Sequence, residues 1–158
     1  MQIKSSYPAL FSAGFHDLTD LEIEQYCVSP FSGSNRRQLL YCNFIQLLNQ
    51  YREFNKQYEC FSEVWVDGSF TTEKINPDDI DILVVVDYKV VNSIPVMLQG
   101  TVSSLIDRIY IKQNLNIDVL TLWQNNPDQS YDSQRSYWRG WFGYDRNENP
   151  KGLVRVSL

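Results

Sequence analysis

Apolar residues recur at three- and four-residue steps from Leu40 through Phe44, Leu47, Leu48 and Tyr51 to Phe54. That spacing lays one stripe along a helix and predicts the helix over 34–55. Ahead of it, Thr19-Asp20-Leu21-Glu22 has capping-box spacing and predicts a short helix ending near Cys27. The period changes at residue 63, where Val64 and Val66 alternate with their neighbours and predict a strand over 63–67. Residues 80–86 are an almost unbroken apolar run, which predicts an interior strand covered on both faces. A third strand is expected over 116–123 and a last one over 153–156. Between the second and third strands, Val102, Leu105, Ile106 and Ile109 predict a single helix over 95–110. Asp132 as an N-cap predicts a helix over 133–143. Residues 1–18, broken by Pro8 and Gly14, are expected to be irregular, and 124–130 to form a loop. The class is α/β, a small mixed sheet flanked by helices in a single domain over 1–158. Its parts are an N-terminal helical segment (1–58), a core (60–123) and a C-terminal aromatic segment with a strand (124–158).

The chemistry concentrates where the first strand ends. Val66-Asp67-Gly68-Ser69 presents a Gly-Ser pair whose backbone N–H groups and hydroxyl suit a phosphate. Ten residues beyond the serine comes Asp79-Ile80-Asp81-Ile82, at the start of the interior strand. A strand has period two, so Asp79 and Asp81 share one face while Ile80 and Ile82 point into the core. Asn116-Ile117-Asp118-Val119-Leu120 adds a third carboxylate inside another apolar run. Carboxylates in buried strands are costly without a cation, and magnesium takes oxygen ligands together with phosphate oxygens. The pattern therefore reads as a socket for magnesium and a nucleoside triphosphate. Asp78 points to the opposite face as a solvated turn residue, and Asp67 is placed to cap the turn.

A Gly-Ser turn, a DxD on the next strand and a lone Asp on a later strand resemble the signature of the nucleotidyltransferase superfamily, whose fold is that of DNA polymerase beta. In length the chain is similar to the minimal nucleotidyltransferases of bacterial toxin–antitoxin and phage-defence loci. Its ends resemble an uncharacterised bacterial family of small nucleotidyltransferase-like proteins, through Gly14-Phe15-His16 with Thr19 and Glu22, and through Asp145-Arg146 with Pro150-Lys151-Gly152. The resemblance implies a two-ion magnesium site. Asp79 and Asp81 would hold the ion that bridges the triphosphate, with Asp118 completing the second site, and Gly68 and Ser69 would cradle the β- and γ-phosphates. It implies transfer of a nucleotidyl group, with ATP the expected triphosphate, to a hydroxyl of a protein or an RNA. A protein partner encoded nearby is the expected acceptor, and a non-catalytic member that neutralises such a partner is the alternative. Lys74, Arg108 and Lys112 are candidate phosphate-neutralising cations, Lys74 being the one placed with the nucleotide.

Charge and composition narrow the partners. A net charge of -5 argues against broad, nonspecific binding of nucleic acid, because phosphate neutralisation supplies most of that affinity. The one locally basic stretch, 135–155, interleaves Arg139 and Lys151 with aromatic residues and is where RNA would bind. The favoured reading of those aromatics is that they close the core. Three cysteines without a CxxC pair, and a single histidine, His16, argue against zinc and fit a reducing cytoplasm. No apolar run approaches the roughly 20 residues that span a bilayer, and no signal layout stands at the start, so no membrane is expected.

Overall fold

The computed structural model describes residues 6–158. In chain order the elements are β1 (Gly14–Asp17), α1 (Asp20–Cys27), α2 (Asn35–Asn55), β2 (Phe61–Asp67), β3 (Ile80–Asp87) and α3 (Tyr88–Ser93). There follow α4 (Val96–Leu105), α5 (Arg108–Leu115), β4 (Ile117–Gln124), α6 (Tyr131–Phe142) and β5 (Gly152–Ser157). The five strands form one mixed sheet in the order β1-β5-β2-β3-β4. β1 runs parallel to β5 and β3 parallel to β4, while β2 is antiparallel to both β5 and β3.

Two faces of the sheet are covered differently. Val64, Val66, Ile80, Ile82, Val84 and Val86 turn toward α2, whose stripe of Leu40, Phe44, Leu47, Leu48 and Tyr51 is buried against them. The other residues of the same strands, Trp65, Leu83 and Val85, meet Leu122, Leu153 and Phe142 on the opposite face, where Trp138 of α6 also packs. The aromatic C-terminal segment thus does close the core through Trp138 and Phe142, while Tyr137 and Trp141 face outward.

Most predicted elements are present; no expectation covered α3, whose start Asp87 caps by accepting from Val90 N–H, and four further differences stand out. The capping box at Thr19 forms as expected: Glu22 N–H donates to the Thr19 hydroxyl, and the Glu22 carboxylate accepts from Thr19 N–H. The expected irregular start contains β1, a strand of four residues with little apolar pattern, which forms because β5 offers it an edge. The part of that expectation that falls on residues 1–5 lies outside the described residues. The single helix over 95–110 is two helices, because Asp107 caps a new start by accepting from Tyr110 N–H. Asn116, expected to open a strand, takes φ 55 and ends α5, a left-handed position that Asn tolerates. Ser130, not Asp132, caps α6 by accepting from Ser133 N–H. No described helix is long and apolar enough to cross a membrane.

Candidate functional site

Strand register assembles the site. Asp67 on β2 pairs with Asp81 on β3, and Asp81 pairs with Asp118 on β4, so three carboxylates stand in one row across three strands. Their flanking residues Val66, Ile80, Ile82, Ile117 and Val119 are all buried on the α2 side, which by alternation puts the row on the α6 side. Asp79 joins from the residue but one before Asp81, on the same face. The sequence-predicted triad Asp79, Asp81 and Asp118 is thus brought together, and Asp67 is added to it.

The Gly-Ser turn lies against this row. Gly68 opens a turn of 3-10 helix at φ 78, a left-handed conformation that suits glycine. A side chain here would collide with the Asp81 carboxylate, because a Cβ on Gly68 would overlap Asp81 Oδ2. Glycine is therefore needed both for the backbone and for the space that Asp81 fills. Asp67 does not cap the turn with its side chain, contrary to expectation. It is instead buried beside Lys151, whose Nζ stands 2.9 Å from Asp67 Oδ1. No donor is aligned on that oxygen as a hydrogen bond, so charge holds the pair together.

Crowded carboxylates perturb one another. Burial, then repulsion from Asp79 and Asp118, pushes the Asp81 carboxyl up to about 6, against the pull of Lys112 and Lys151. Burial pushes Asp67 up to about 7, and nearby Lys151 offsets only part of that. Asp118 goes the other way: Arg108 holds its carboxyl below the usual range through two hydrogen bonds, of 2.6 and 3.0 Å. Lys112 pairs with Asp79. Among the described residues no group of three His, Cys, Asp or Glu side chains is arranged, as it stands, to enclose a metal ion. Two of the carboxylates in the row are engaged by cations from α5.

A family model matches residues 5–157, the model of a family of unknown function (DUF6932). The chain belongs to that family. No match is found among the curated proteins or among the solved structures. The DUF6932 match extends past the carboxylate row on both sides, over the first strand β1 and the last strand β5, which pair in the sheet. Gly14 pairs with Gly152 across β1 and β5, and Lys151, just before β5, reaches the row through Asp67.

The other sequence-predicted residues are placed as follows. Ser69 is half-buried in the turn, and its carbonyl accepts from Thr72 N–H and the Thr72 hydroxyl. Lys74 stands 3.5 Å from Asp78 and is not among the cations that act on Asp81. Lys151 is turned inward on Asp67, with a side chain 12% exposed, so of the two basic residues expected to meet RNA only Arg139 is exposed. His16 bonds the Ser12 carbonyl at 2.7 Å, and its ring lies tilted beside Phe11, 5.3 Å between centroids. Cys27 and Cys60 are buried thiols, pushed up to about 12 and about 11 by burial, and Cys42 is exposed.

Arg37 is the residue that motif reasoning missed. It is wholly buried, and its guanidinium donates to the carbonyls of Cys27, Phe70, Thr72 and Lys74 at 2.6–3.2 Å. The Phe31 ring lies 3.7 Å from it. Arg36 adds bonds to the carbonyls of Pro77 and Asp78, and Ser34 one to Asn76. The first turn of α2 therefore fixes the whole connection from the Gly-Ser turn to Asp79. A signal existed: Arg37 falls three residues before Leu40, in line with the buried stripe.

Proposed function

We propose that this chain is a magnesium-dependent nucleotidyltransferase of polymerase-beta-like fold. In this reading it moves a nucleotidyl group from a nucleoside triphosphate, ATP by expectation, to a hydroxyl on a protein or RNA. The observation that carries the reading is the row Asp67-Asp81-Asp118, with Asp79, set directly against a glycine turn that leaves room only for Asp81. Buried, mutually repelling oxygens lower their energy by sharing a divalent cation, which makes this donor set fit magnesium. Asp79, Asp81 and Asp118 would hold the metal, whose chemistry is to polarise the α-phosphate and favour the ionised acceptor hydroxyl. The Gly68 and Ser69 backbone would orient the β- and γ-phosphates. The acceptor oxygen then bonds to the α-phosphorus, the bond to the bridging oxygen breaks, pyrophosphate leaves, and the hydroxyl proton passes to water.

The setting proposed is a bacterial toxin–antitoxin or phage-defence system, with a protein encoded nearby as acceptor. Three cysteines with no disulfide between them fit a reducing cytoplasm. A second reading is a non-catalytic partner-binding protein, favoured by the ion pairs that already neutralise Asp79 and Asp118. Labelled ATP, magnesium, total RNA and the neighbouring protein separate the two readings. The enzyme labels one of them, and Asp118→Asn loses at least about tenfold in transfer while still binding nucleotide. No label on any acceptor, with each of the four triphosphates, would leave the binding protein.

A further inference from the structure

Arg108 and Lys112 lie one turn apart on α5, the helix that leads into β4. β4 is an edge strand, and the cations of α5 reach carboxylates on it and beside it: Arg108 spans both oxygens of Asp118 on β4, and Lys112 takes Asp79, just before β3. Their exposures differ from those of their partners in an informative way. The side chains of Arg108 and Lys112 are 60% and 43% exposed, whereas those of Asp118 and Asp79 are 21% and 24% exposed. The carboxylates are fixed near a strand start, and the cations sit on long side chains that solvent reaches.

We propose that Arg108 and Lys112 are exchangeable counter-ions, which occupy the carboxylates when the site is free and move onto a polyphosphate when a divalent cation takes their place. The inference rests on the magnesium-triphosphate reading of the same site and assigns it a second set of ligands. Exposed ion pairs on flexible side chains contribute little net stability, so giving them up costs little. A divalent cation among crowded carboxylates gains more than two monovalent ones, because it answers their mutual repulsion at one point. The released guanidinium and ammonium then stand beside the cation, one turn apart on one helix face, where a linear polyphosphate bound to that cation presents its oxygens. Lys74 has no such position, since it pairs with Asp78.

The exchange gives opposite signs in two titrations, and no nucleotide transfer is needed to read them. Manganese, a paramagnetic oxygen-seeking stand-in, is titrated against wild type and Arg108→Gln/Lys112→Gln, alone and then with inorganic tripolyphosphate. Loss of the free-ion resonance reports binding of manganese alone, the heat of titration with preformed manganese tripolyphosphate reports binding of that complex, and unchanged melting confirms that both proteins are folded. Without its competitors the variant binds manganese alone about 3–10-fold more tightly, yet holds manganese tripolyphosphate about tenfold more weakly or worse. Any result other than opposite shifts overturns the exchange. If wild type takes up both species and the variant matches it, the exchange alone fails. If wild type takes up neither, the magnesium-triphosphate reading fails with it.

Discussion

Asp67 and Asp81 are the two side chains whose energetics depend most on whether the site is filled. Without metal, burial holds their carboxyls at about 7 and about 6, above the usual carboxylate value near 3.8. The folded protein therefore binds more protons than the unfolded chain between pH 4 and 7, and stability rises as the pH falls through that window. Below it, Asp17 and Asp118, held low by Arg155 and Arg108, give up their stabilisation as they protonate. In EDTA, melting should rise by about 3–6 °C from pH 7.5 to 5, equivalent to roughly 1–2 kcal/mol after allowance for screening. Asp81→Asn removes part of the repulsion permanently. It should melt a few degrees higher than wild type at pH 7.5 in EDTA and show a flatter profile. A variant less stable than wild type at every pH would show that Asp81 is an ordinary structural carboxylate.

At the level of elements, the first turn of α2 is what makes the Gly-Ser turn a fixed surface. Arg37 satisfies four buried carbonyls at once, and a straight apolar side chain would leave them unpaired. Arg37→Met should cost about 3–5 kcal/mol in denaturant unfolding. Arg37→Lys should recover little of it, because an ammonium cannot present five donors in a planar fork. A loss below about 1 kcal/mol for either variant would mean that the loop is held by other contacts. Elements built on local signals were readable in the sequence. The Thr19 capping box, the α2 stripe and the apolar β3 run each carry their own periodicity or cap. What long-range pairing decides was not readable. β1 exists because β5 accepts it, and Lys151 lies inside because Asp67 is there, although 84 residues separate the two in sequence. Within the site, the alternation around Asp79, Asp81 and Asp118 was legible. The fourth carboxylate was seen only as a turn residue, since its place in the row depends on the β2–β3 register.

Across the whole molecule, β1 and β5, the first and last strands, meet in one sheet, and Lys151, the residue before β5, reaches the row that the middle of the chain builds. The DUF6932 match over residues 5–157 therefore covers one connected arrangement: carboxylate row, glycine turn and the cations around them. Calorimetric titration with a nonhydrolysable ATP analogue, with and without magnesium, tests whether that arrangement is a metal–triphosphate site. Binding should require magnesium and fall at least about tenfold in Asp81→Asn and in Gly68→Ala, whose added Cβ displaces the Asp81 carboxylate. Equal affinity in wild type and both variants, or affinity indifferent to magnesium, would contradict it.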